Sequence, residues 1–91
     1  MKATKEQLIA FLEAEVLTPT ENNPKATEIV KRKVRATRMR LNLLKSAEKV
    51  REFFWNAMAS DRGIDSYMHI RDVKGVTFED VRDKFKALCG D

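Results

Sequence analysis

Residues 24–60 read PKATEIVKRKVRATRMRLNLLKSAEKVREFFWNAMAS, and after the opening proline the segment holds neither proline nor glycine. Good helix formers dominate it, so the reading is one long helix, or two nearly collinear ones, from Pro24 to about Ser60. Asn23 followed by Pro24 supplies the start signal, an N-cap residue with proline at the first helical position, where its missing N–H costs nothing. Such a helix would run about 55 Å at the standard rise. That exceeds the ~25–30 Å expected across a domain this small. It must bend near Asn42 to Ser46, or project and meet a partner.

Placing residues about 100° apart gathers Ile29, Ala36, Leu43, Ala47 and Phe54 on one stripe. Val30, Val34, Leu41, Leu44 and Trp55 fall on a neighbouring one. A face this broad suits a helix packed by two neighbours in a bundle better than a narrow coiled-coil seam.

On either side the pattern remains helical. Thr4 with Gln7 forms a capping-box signature, and Leu8, Ile9, Leu12 and Val16 make one apolar stripe, which Pro19 and the polar run to Asn23 are expected to end. After the break Asp61-Arg-Gly-Ile-Asp65, a short helix over Ser66–Lys74 is expected, closed by Gly75. Thr77 and Asp80 then open a last helix with Phe78, Val81, Phe85 and Leu88 at helical spacing, ending at Gly90. The fold class that follows is all-α, a single helical domain over residues 1–91: a small bundle of about four helices with one long central basic helix.

Composition agrees with one compact core, since 43% of the 91 residues are hydrophobic and 35% charged, with three Gly, two Pro and one Cys. A chain of this length buries roughly 60–70% of its unfolded surface, a modest margin that self-association would widen. A homodimer is therefore expected. One cysteine cannot build a disulfide framework. The longest charge-free stretch, Phe53–Ser60, falls far short of the roughly 18 apolar residues of a membrane span. Glutamates occupy the N-terminal stretch where a secretory signal would be apolar. A reduced cytoplasmic setting with no membrane association is expected.

Charge is the most informative feature. Between Lys25 and Arg51 stand ten Lys or Arg and only Glu28 and Glu48 as acids, whereas the rest of the chain is net acidic. The densest part, Lys31-Arg-Lys-Val-Arg-Ala-Thr-Arg-Met-Arg40, has six basic residues in ten. Lys31, Arg35, Arg38, Lys45 and Lys49 share one helical sector with Asn42, a stripe able to follow phosphates along a nucleic-acid groove. Arginine forks suit bidentate contact with phosphate or guanine, and Asn42 has the groups to pair with adenine. The candidate nucleic-acid site is thus Lys31, Arg32, Lys33, Arg35, Arg38, Arg40, Asn42, Lys45 and Lys49. The competing explanation is that acidic flanking helices lie against this segment and neutralise it.

A helix-turn-helix over Ser66–Lys74 and Phe78–Cys89 has suitable lengths, but Glu79, Asp80 and Asp83 would face phosphates at the end meant to enter the groove. For catalysis the inventory is thin. His69 is the sole histidine, Tyr67 the sole tyrosine, and Cys89 lies near the terminus, where exposure and accidental oxidation are expected. Glu79 and Asp83, with Asp72, are better read as acids favoured near a helix start than as a metal site. No phosphate loop, zinc spacing or EF-hand pattern occurs. No enzyme activity, cofactor or metal is expected.

Phe53-Phe-Trp-Asn-Ala-Met58 holds three of the seven aromatics, and Phe53 points away from Phe54 and Trp55, so the three cannot share one face. They form a core layer or, through Phe53, Trp55 and Met58, a partner interface. Two functions follow from these features. The first is a small non-enzymatic nucleic-acid-binding protein, a regulator or accessory factor that contacts DNA or RNA phosphates. The alternative is an adaptor or inhibitor docking on an acidic protein surface.

Overall fold

The computed structural model describes residues 3–58 and 78–90. Among the described residues all regular structure is helical. Helix α1 (Lys5–Leu12) starts at the expected box, with Thr4 Oγ1 accepting from Gln7 N at 3.2 Å and Gln7 Oε1 accepting from Thr4 N at 2.8 Å. Leu8, Leu12 and Val16 point into the core, and Ile9 is half-buried at its edge.

Pro19 does not end this helix. The chain widens into a π turn (Glu13–Leu17) and continues as α2 (Thr18–Asn22), with Pro19 in the first turn of the new segment. Thr18 N donates back to Glu13 O, five residues away, so the ladder is already shifted where proline lacks a donor. The detour turns Pro19 and Thr20 inward, both buried.

The start expected at Asn23 is also corrected. Asn23 is buried and extended, as a residue before proline prefers, and its Oδ1 accepts from Lys25 N at 2.8 Å. Ala26 N closes the turn on Asn23 O at 2.9 Å. Helix α3 (Glu28–Leu43) begins instead at Thr27, whose hydroxyl accepts from Val30 N at 3.2 Å.

A single long central helix is not what forms. Leu44 turns to ψ 143° and Ser46 to φ −151°, ψ 161°, both extended, before α4 (Ala47–Phe53) and a terminal π turn (Phe54–Met58). The break falls within the Asn42–Ser46 bend window. It needs no glycine or proline, because Ser46 Oγ caps Lys49 N at 3.2 Å and so offers the backbone an alternative to continued helix. Shortening the helix lets the described chain fit within 36 × 25 × 21 Å. The length argument for a dimer disappears with it.

Helix α5 (Phe78–Leu88) closes the core, which lies among α1, the first π turn, α3, α4 and α5. Phe85 is its centre: its ring stacks on Phe54 with centroids 4.1 Å apart, meets Trp55 edge-on at 6.2 Å and tilts against Phe11 at 6.2 Å. The aromatic cluster is thus mainly core. Met58, a candidate partner contact, is buried, because it lies on the same helix face as Phe54, four residues before it. Cys89, expected to be exposed, is buried too, since it extends the inward row of Val81 and Phe85. Gly90 takes a positive φ of 80° just past the helix end, and Ala3 N ties the other end to Leu88 O at 3.1 Å. The break at Asp61–Asp65, the Ser66–Lys74 helix, Gly75, the Thr77 cap, Tyr67, His69 and Asp72 lie outside the described residues, and with them the helix-turn-helix reading.

Candidate binding face

Helix α3 carries six of the basic residues and a single acid. Its two faces have separate employment. Inward lie Val34 and Leu41, fully buried, with Val30 and Leu44 packed at the margin. Beside them Arg38 turns toward the first helix and meets two glutamates there.

Glu13, at the start of the first π turn, and Glu21, on α2, clamp this guanidinium from both sides. Arg38 Nε and Nη2 donate to Glu13 at 2.6 and 2.9 Å, while Nη1 and Nη2 donate to Glu21 at 3.3 and 3.2 Å. Thr18 Oγ1 donates to Glu13 at 2.9 Å and steadies it. The Arg38 hydrogen bond holds Glu13 below its ordinary carboxylate range, outweighing the opposing effect of burial. Reciprocally, hydrogen bonds to Glu13 and then Glu21 push Arg38 above its already high ordinary value. The cleft of about 450 Å³ between the first helix and α3, lined by Ile9, Leu17 and Leu41, therefore has at its edge a cation already engaged by carboxylates. It is poorly suited to capture another anion.

The expected stripe Lys31–Arg35–Arg38–Lys45–Lys49 is accordingly not brought together. Arg38 serves the fold, Lys31 is half-buried, and the Leu44–Ser46 break detaches Lys45 and Lys49 from α3. Asn42 Nδ2 donates to Arg38 O at 3.0 Å. Lys49 is exposed and within 3.5 Å of Glu52, and Arg40 lies over the Phe53 ring at 5.7 Å. Arg32, Lys33, Arg35 and Arg40 all remain exposed; Arg35 is 3.8 Å from Glu28 in a loose surface pair.

Outward, α3 presents Ile29, Ala36 and Leu43, which the sequence pattern placed on the apolar face, together with Met39, which it did not. Ile29, Met39 and Leu43 are 67%, 68% and 77% exposed, and Ala36 between them is exposed as well. One helix cannot bury both apolar stripes when, among the described residues, its packing neighbours lie on one side. The Val30–Val34–Leu41 stripe won that competition, and the Ile29–Ala36–Leu43 stripe was left in solvent among arginines. Among the described residues Trp55, on the second π turn, is the other large exposed hydrophobic, at 39%. Among the described residues no group of His, Cys, Asp and Glu is arranged to hold a metal ion, and no helix is long and apolar enough to cross a membrane.

The chain matches no protein-family model, no curated protein and no solved structure.

Proposed function

We propose that this protein is a non-enzymatic adaptor or inhibitor that docks on an acidic protein surface through the outward face of α3. One observation carries the reading: Ile29, Met39 and Leu43 stand exposed in a row framed by Arg32, Arg35 and Arg40. An apolar centre with a charged rim is the anatomy of a protein interface, and arginine is enriched there. Phosphate contact requires the cations alone and gains nothing from exposed isoleucine, methionine and leucine. Exposed apolar patches on small soluble domains mark interaction sites more than they mark idle surface.

Nucleic-acid binding stays as the second reading, favoured by the exposed Arg32, Lys33, Arg35 and Arg40 together with Lys45 and Lys49. Affinity capture and nucleic-acid titration, run in parallel, separate the two. A captured protein whose retention is lost in Ile29→Ser/Met39→Ser/Leu43→Ser, with no saturable binding of duplex DNA, single-stranded DNA or RNA, supports the adaptor. Saturable nucleic-acid binding that weakens with salt, survives the triple serine variant and disappears in Arg32→Glu/Arg35→Glu would replace it. Arg38 is left intact in these variants, because Arg38→Glu would set a third carboxylate against Glu13 and Glu21 and damage the fold.

A further inference from the structure

The exposed row has a period as well as a composition. Ile29, Ala36 and Leu43 are seven residues apart, and Arg32 and Met39 fall between them, so the intervals alternate three and four along the helix. That is the spacing of a coiled-coil seam, and it spans about 21 Å at the helical rise. The inward row Val30–Val34–Leu41 sits on a different sector and is already covered. α3 therefore has one row packed against its own domain and a second, of heptad period, facing solvent.

A seam of this kind fits one straight helix, and the charges beside it specify which. The positions flanking the seam hold Lys33 and Arg40 on one side and Arg35 on the other, with Glu28 the one acid. A second copy packed in parallel sets Arg35 against Arg40, relieved only by Glu28 near Lys33. An antiparallel copy sets Lys33 against Arg40 and Arg35 against its own equivalent. Like charges in these positions oppose pairing and direct partner choice elsewhere. Arg32 sits within the seam itself, where one facing carboxylate would satisfy it and fix the register.

Resting on the docking reading above, we infer that the Ile29–Ala36–Met39–Leu43 seam receives an acidic amphipathic α-helix of a partner protein, packed in heptad register with its carboxylates against Arg32, Arg35 and Arg40. The mode is helix-on-helix docking, in which apolar contacts supply affinity and charges supply orientation.

The test uses the full chain and two synthetic probes of equal charge. One is a peptide of about three heptads with Leu at the seam positions and Glu beside them. The other is poly-L-glutamate, which has the charge without the row. The Leu/Glu peptide is expected to bind saturably at one to one, with a gain of helical signal in far-ultraviolet circular dichroism. Met39→Ser/Leu43→Ser, both at solvent-exposed positions, should weaken it by roughly tenfold or more, and Arg32→Glu/Arg35→Glu should shift preference to a Lys-flanked peptide of the same pattern. Equal binding of poly-L-glutamate overturns the helical partner while leaving the acidic-surface reading standing. Failure of both acidic probes, when affinity capture still retains a protein through the row, likewise overturns the helix inference alone. Sedimentation equilibrium showing a dimer that Leu43→Ser dissociates assigns the seam to a second copy and overturns it too.

Discussion

The two faces of α3 have nearly the same amino-acid vocabulary and opposite fates. Inward, Val34 and Leu41 are sealed from water and Arg38 is held by two carboxylates. Outward, Ile29, Met39 and Leu43 face water and Arg32 has solvent around it. Burial and pairing are therefore properties of position relative to the first helix, not of residue type. An arginine within reach of Glu13 and Glu21 is structural, and Arg32, on the outward side of the same helix, is left exposed to solvent.

The largest expected contrast is in packing. Leu41→Ala should cost about 2–5 kcal/mol through the cavity it leaves, whereas Leu43→Ala, two residues on, should change stability by no more than about 0.5 kcal/mol. Chemical denaturation of the two variants reads this directly. Similar losses would mean that the outward face is covered in solution.

The arginines should separate next. Arg38→Met leaves Glu13 and Glu21 without their shared cation and is expected to destabilise by about 1–2 kcal/mol, while Arg32→Met should be nearly neutral. The Arg38 contribution carries a pH signature. Because Glu13 titrates below its ordinary value of 4.5 in the folded chain, the clamp's stabilisation is fully present above that value and is lost as the pH falls through the lower folded one. The difference in melting temperature between wild type and Arg38→Met should be constant near neutrality and shrink below about pH 4.5. A difference that persists unchanged into acid would show that Arg38 acts through packing of its stem.

The smallest effect concerns Thr20, fully buried on α2 with no hydrogen-bond partner for its hydroxyl among the described residues. Thr20→Val keeps the shape and removes the orphaned group, so it should stabilise by about 1 kcal/mol, visible as a raised denaturation midpoint. Destabilisation would reveal a hydrogen bond at this hydroxyl in solution.

Much of the helical content was readable because its signals are local. The Thr4–Gln7 box and the Val81–Phe85 spacing depend on neighbours in sequence, and both stand in the structure. The errors cluster where a distant contact outbids a local preference. Pro19 reads as a stop until the π turn before it shifts the ladder, and Asn23–Pro24 reads as a start until the buried Asn23 turn moves the cap to Thr27. Thr27 and Ser46 cap their helices in the structure, roles that the sequence pattern did not assign to them. Of the site, the basic character of α3 was plain, and so was the possibility that acidic helices neutralise part of it. Which cation would be taken was not, because Arg38 is 25 and 17 residues from its partners.

By itself, then, the sequence determined that the fold is all-helical, where the first and last helices lie, and that a basic segment sits in an acidic remainder, since helix propensity, capping and charge count act over a few residues. Only the tertiary structure decided which apolar stripe of α3 is core and which faces out, and which arginine is spent on the fold. Those outcomes depend on how the first helix lies across α3. A single helix with two apolar stripes holds no local information about which side its neighbour will take.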